Sequence, residues 1–119
     1  MAVRTLLNLP SAARATYSSG QVVLPNYNEL VLSLDVNVTA ITGGTSPTVK
    51  FIVSRVGADS VLYGLYTPGA LSTPGVFSQS IGHGGQTNAD PGDLCQVDMV
   101  TTGSPTTITF SLSAKVRGS

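Results

Sequence analysis

The chain reads as a single all-β domain: an antiparallel β-sandwich, immunoglobulin-like or jelly-roll-like, of seven to eight strands. Three observations predict it. Leu30, Leu32, Leu34, Val36 and Val38 fall on one face of a stretch whose other face is Val31, Ser33, Asp35, Asn37 and Thr39, the period of two expected of a half-buried strand. Two segments look like versions of each other. Leu34–Thr39, Ser46-Pro47 and Val49–Ser54 form one, and Val97–Thr101, Ser104-Pro105 and Ile108–Ser113 form the other, with Phe51 and Phe110 at matching places. Finally, 13 Gly, 7 Pro, 14 Ser and 14 Thr in 119 residues supply turn punctuation and half-exposed strand surface.

The elements follow in order. Val3, Thr5, Leu7 and Leu9 alternate with Arg4, Leu6 and Asn8 until Pro10 breaks the run, which predicts an N-terminal arm or edge strand over residues 1–12 ahead of a sandwich domain over 13–119. The arm holds Val3, Leu6, Leu7 and Leu9 but is too short to bury them alone. It is expected to be tied down from Met1 onward, either as the sandwich's own first strand or along a neighbouring subunit. Ala13, Ala15 and Tyr17 alternate next, and Val22–Leu24 is a short apolar piece between Gly20 and Pro25. Leu30–Thr39 is the clearest strand. Thr42–Pro47 is a loop by composition, and Val49, Phe51 and Val53 face the core on the return. After Gly57-Ala58-Asp59, Val61–Tyr66 is apolar on both faces, so either both are buried or one meets another chain. Val76–Ile81 is a short strand, Gly82–Gly92 the longest loop, and Leu94–Thr101 a strand. Thr107–Val116 closes the chain with Ile108, Phe110, Leu112, Ala114 and Val116 inward. The predicted core is Leu32, Leu34, Val36, Phe51, Val53, Val97, Phe110 and Leu112.

Only 10% of residues are charged and the formal net charge is zero, against about 25% charged in average domains. No basic patch points to nucleic acid. No run approaches a membrane helix, and no signal peptide is visible; synthesis in a cytoplasm is the expectation. A surface so poor in charge protects weakly against association, so a homo-oligomer or larger assembly is expected.

Motifs for chemistry are sparse. His83 sits in Gly82-His83-Gly84-Gly85 with no second His in the chain, which favours a surface-loop residue over a base or ligand. Asn88–Asp93 offers oxygen ligands, but Pro91-Gly92 explains it as a turn. Cys95 alternates with Val97 and Met99 on an inward face, as a buried small hydrophobe does. No nucleophile elbow, phosphate loop or metal-ligand spacing appears. The chain is therefore read as a non-enzyme with no catalytic residues, cofactor or metal. Tyr63 and Tyr66 suit an interface, where area plus a hydroxyl is favoured. The candidate partner surface is Val3, Leu6, Leu7, Leu9, Leu62, Tyr63 and Tyr66.

The string Leu34–Val49 (LDVNVTAITGGTSPTV) and the close Thr102–Leu112 (TGSPTTITFSL) resemble small β-sandwich virion proteins of tailed bacteriophages. Those carry a "VTAVSGTSPTL" type hairpin and a "GTTPSFTFS" type strand. The resemblance covers roughly residues 30–56 and 93–116. A "SxDGxTW" stretch often follows the second strand in that family, but here Gly57–Tyr63 stands there without the Trp. What the resemblance implies is a virion building block without catalytic residues. The leading form is a head decoration (cement) protein bound to the major capsid protein or other virion proteins, with a trimer favoured. The alternative is a tail, baseplate or fibre module. A carbohydrate-binding module is weaker, since the chain has no Trp and 4 Tyr.

Overall fold

The computed structural model describes residues 2–66 and 68–118. Met1, Thr67 and Ser119 lie outside the described residues, and with Met1 lies the expectation that it is tied down. Eight strands follow one another: β1 (Ala2–Arg14), β2 (Val22–Val23), β3 (Val31–Thr42), β4 (Thr48–Val56), β5 (Leu62–Tyr66), β6 (Gly75–Gly82), β7 (Leu94–Thr102) and β8 (Thr107–Gly118). They form two four-stranded sheets, β1-β8-β3-β6 and β2-β7-β4-β5, in which every strand pair is antiparallel. The first strand pairs with the last, the second with the seventh, the third with the sixth and the fourth with the fifth. That is one long antiparallel ribbon, rolled so that β8 meets β3 and β7 meets β4. The sandwich is an eight-stranded jelly roll.

Alternation decides what lies between the sheets. β3 sends Leu32, Leu34, Val36 and Val38 inward, and β8 sends Ile108, Phe110, Leu112, Ala114 and Val116. Val49, Phe51 and Val53 of β4 meet them with Cys95 and Val97 of β7. All eight predicted core residues are buried. At the centre, the rings of Phe51 and Phe110 meet edge to face at 4.9 Å between centroids, with Phe77 against Phe51 at 5.6 Å and Tyr17 against Phe110 at 5.7 Å. Such T-shaped contacts suit the ring quadrupole.

The repeated Ser-Pro segments are not hairpins. Each strand-turn-strand unit crosses from one sheet to the other, from β3 to β4 and from β7 to β8. The two corners lie side by side: Thr45 N–H donates to Gly103 O at 2.9 Å and Thr106 N–H to Thr42 O at 2.8 Å. A Cβ on Gly44 would run into the Gly103 carbonyl, and one on Gly103 into that of Thr45. Ser46 and Ser104 both take positive φ, 46° and 52°. The repeat visible in the sequence is thus a pseudo-two-fold relation between the two sheets, and it brings Phe51 and Phe110 together.

Two further expectations need correction. Pro10 does not end the first strand. β1 runs along β8 from Ala2 to Arg14, and Pro10 falls in a bulge where the register slips between Leu9 and Ala12. A residue without an N–H is tolerated at such a place on an edge. Nor does Val61–Tyr66 alternate cleanly between two faces. The strand begins at Leu62, and a register shift opposite Val53 and Ser54 turns Tyr66 toward the inward-facing Val53.

Candidate interaction surfaces

The candidate partner residues divide between two flanks. β1 is an outer strand of one sheet and β5 an outer strand of the other. Because β1 leads into β2 and β5 into β6, the two strands lie on opposite sides of the sandwich. On β1, Leu6, Leu7 and Leu9 are half-buried against the core and Val3 is exposed. On β5, Leu62 and Tyr63 are exposed while Tyr66 is half-buried on the core. Tyr63 is committed locally. Its hydroxyl donates to Asp59 Oδ2 at 2.7 Å, and the Arg55 guanidinium lies 4.9 Å from its ring centre. The Tyr63 hydrogen bond, then the Val61 N–H, holds the Asp59 carboxyl below its ordinary range.

All four outer strands are blunted against strand addition. β1 carries two register slips and Pro10. Arg14 fastens the second slip: its guanidinium donates to Phe110 O at 2.8 Å and to Pro10 O at 2.8 Å and lies 4.6 Å from the Phe110 ring centre. The Ser80–Gly82 half of β6 is covered by the following loop, where Thr87 N–H donates to Ser80 O and Gly82 N–H to Thr87 O, both at 2.9 Å. β2 is two residues long, and β5 is short and bulged. These are the devices by which sheets avoid edge-to-edge growth.

The outer faces of both sheets mix polar and apolar side chains. On the β1-β8-β3-β6 sheet the outward positions Ser33, Asp35, Asn37 and Thr39 of β3 and the Thr107–Arg117 alternates of β8 are polar, while Val3 of β1 and Val76 of β6, paired with the outward Arg117 and Asn37, are exposed apolar residues at its margins. The β2-β7-β4-β5 sheet also turns apolar side chains outward, here among polar ones on its central strands. Val23 (69% exposed) pairs with Leu94, and Val100 pairs with Lys50 next to Ile52. Sequence reading passed over Val23, Ile52 and Val100. The signal was present, since each apolar residue sits on the polar phase of its strand.

One end of the sandwich carries a cleft of about 420 Å³ between the β2–β3 and β6–β7 connections, lined by Tyr27, Glu29, His83, Asn88, Asp90 and Asp93 among others. His83 Nε2 lies 3.7 Å from Glu29 Oε1, with both side chains largely exposed, an arrangement worth little energetically. Asp90 Oδ1 accepts from Gly92 N–H at 2.9 Å, so that carboxylate is spent on its own turn. Among the described residues, no three His, Cys, Asp or Glu side chains group as a metal site. Cys95 is buried, and desolvation pushes its thiol up to about 11, which leaves it protonated at neutral pH.

No protein-family model matches the chain, and no curated protein matches its sequence. Among solved structures, it superposes on a chain from the structure of infectious bursal disease virus, Gx strain. The TM-score is 0.60 and the identity 13%, over 97% of this chain and 32% of the viral one. The likeness is one of fold. The chain spans about a third of that viral chain's length, and the superposition takes in the whole sandwich. No helix among the described residues is long and apolar enough to cross a membrane.

Proposed function

We propose that this chain is a structural subunit of a virion, made to be packed against other subunits rather than to turn over a substrate. The strand order β1-β8-β3-β6 over β2-β7-β4-β5 carries the reading, because this jelly roll recurs in viral capsid domains. The fold likeness to a virus chain supports it. Lectins and cupins share the architecture. Here the space between the sheets is packed with Phe51, Phe77, Phe110 and their aliphatic neighbours, which counts against a ligand held inside. The exposed ring of Tyr63 is engaged by Asp59 and Arg55, which weakens the carbohydrate-binding reading. Within the virion, the finer assignment is a decoration protein on the capsid surface, and the second is a tail, baseplate or fibre component.

Purified particles encoded by the same genome test the proposal. Mass spectrometry should find the chain as a stoichiometric component, and cryo-electron microscopy should place it. Copies on the head surface support decoration, and copies on the tail support the second assignment. Absence from the particle overturns the virion reading. A substrate turned over by the purified chain, with activity lost in His83→Ala, overturns the non-enzymatic part.

A further inference from the structure

We infer that the outer face of the β2-β7-β4-β5 sheet is a self-association surface whose occupant is the same face of a second copy. The inference deepens the subunit reading and rests on it.

Lys50 and Ile52 of β4 lie opposite Val100 and Asp98 of β7. The four therefore form a small quadrilateral on one face, with the two charges on one diagonal and the two apolar residues on the other. Within the chain the charges do not meet. The one ion pair among the described residues joins Glu29 to His83, and Asp98 accepts instead from Gln96 Nε2 at 3.0 and 3.1 Å. A two-fold axis lying in the plane of the face, close to the line through Ile52 and Val100, carries Lys50 of each copy over Asp98 of the other. The same operation sets Ile52 on Ile52 and Val100 on Val100. An isologous contact requires this self-complementarity. From strand spacing and rise, the two sheets would cross at roughly 70°, nearer the orthogonal than the aligned class of sheet packing.

Two other observations agree. Gly64 of β5 is exposed and has neither a positive φ nor a neighbour that a Cβ would meet, although its pairing partner Ser54 is buried at 4% exposure. Nothing inside the chain calls for glycine there, and a bare backbone lets another chain approach closely. The strands of this sheet are 2, 9, 9 and 5 residues long, which at the usual rise and spacing cover roughly 400 Å². That supplies about half of the ~800 Å² per partner of a specific interface. Because the sheet edges are blunted, a face is the surface left for association.

The test is sedimentation of wild type, Lys50→Asp, Asp98→Lys and an equimolar mixture of the two variants, over a concentration series. Matching thermal melts would confirm that the variants fold. The wild type should dimerise. Each variant alone sets like charges across the interface twice and should weaken the dimer by about tenfold or more. In the mixture every crossed pair again joins opposite charges, and wild-type affinity should return. A wild type that stays monomeric, variants that dimerise as wild type, or a mixture no better than its components each overturn the inference. A monomer that is nonetheless found in particles overturns this inference alone. A dimer built through this face but absent from particles overturns the virion reading alone.

Discussion

Phe110→Ala removes the ring on which both halves of the fold converge. Phe110 is fully buried. Its ring meets Phe51 at 4.9 Å and Tyr17 at 5.7 Å, and the Arg14 guanidinium stands 4.6 Å from its centre. Truncation of a core Phe costs about 3–5 kcal/mol through lost burial and the cavity left behind. Each aromatic pair adds ~0.5–1.5 kcal/mol beyond burial, and a cation over a ring ~0.5–1 kcal/mol at a partly exposed site. These contributions overlap, so the expected loss is near the top of the range, about 5 kcal/mol. Phe77 is the internal control. It is buried but sits on outer strand β6 with one aromatic neighbour, Phe51, and Phe77→Ala should cost nearer ~3 kcal/mol. Urea unfolding followed by far-UV circular dichroism measures both. With a slope of ~2 kcal/mol/M, the Phe110→Ala midpoint should fall by roughly 2.5 M and the Phe77→Ala midpoint by roughly 1.5 M. A loss below about 2 kcal/mol for Phe110→Ala, or one smaller than for Phe77→Ala, would refute the placement of Phe110 at the structural centre.

Arg14→Lys should lose about 1–3 kcal/mol in the same assay, because a point ammonium cannot span the Pro10 and Phe110 carbonyls as the guanidinium does. Wild-type stability after the change would mean that those hydrogen bonds do not hold the bulge. Cys95 should resist thiol reagents in the folded protein at pH 8 and react once urea unfolds it. Its thiol pKa rises from 9.0 to about 11 on folding, so the unfolded chain loses its proton first. The contribution is present below pH 9 and is lost as pH rises toward 11. A stability flat across that window would contradict it.

Strand faces were legible because alternation is local. Leu32, Leu34 and Val36 announce an inward face without reference to any other strand, and Cys95, Val97 and Phe110 do likewise. Strand order was not legible, since nothing in the composition of β8 says that it lies between β1 and β3. The Ser-Pro repeat shows the difference. Its likeness was real, but a local reading makes each copy a hairpin. Only the full fold shows two corners between sheets, fastened through Thr45, Gly103, Thr42 and Thr106. Pro10 misled for a related reason. A proline ends a strand when its N–H is needed, and at a bulged edge it is not. The proposed association surface was half legible. Leu62 and Tyr63 stood out within an apolar run, whereas Ile52 and Val100 carry a weaker signal, each a single apolar residue on the polar phase of its strand.

The role of the N-terminal segment can be settled by deleting residues 2–9. Ala2–Leu9 pairs with β8 from Gly118 to Leu112, and Leu6, Leu7 and Leu9 pack against the core. Removing them strips one side of β8 along Leu112, Ala114 and Val116 and forfeits part of the burial of three leucines, Leu6 among them, each worth ~1.5–3 kcal/mol when fully buried. The ladder along β8 goes as well. Against this stands the entropy released by eight residues no longer held, ~1–2 kcal/mol each, so the net change is far smaller than either side. The newly exposed edge decides the outcome: β8 lacks proline, and its pairing to β3 slips only once, so it would be an open template of the kind that drives aggregation. The truncated chain should therefore unfold at lower urea and precipitate on concentration, with turbidity tracking loss of the monomer peak in gel filtration. A truncated chain that stays soluble with an unchanged urea midpoint would show that β1 contributes nothing to the sandwich, and its leucines would then belong to a contact outside the subunit.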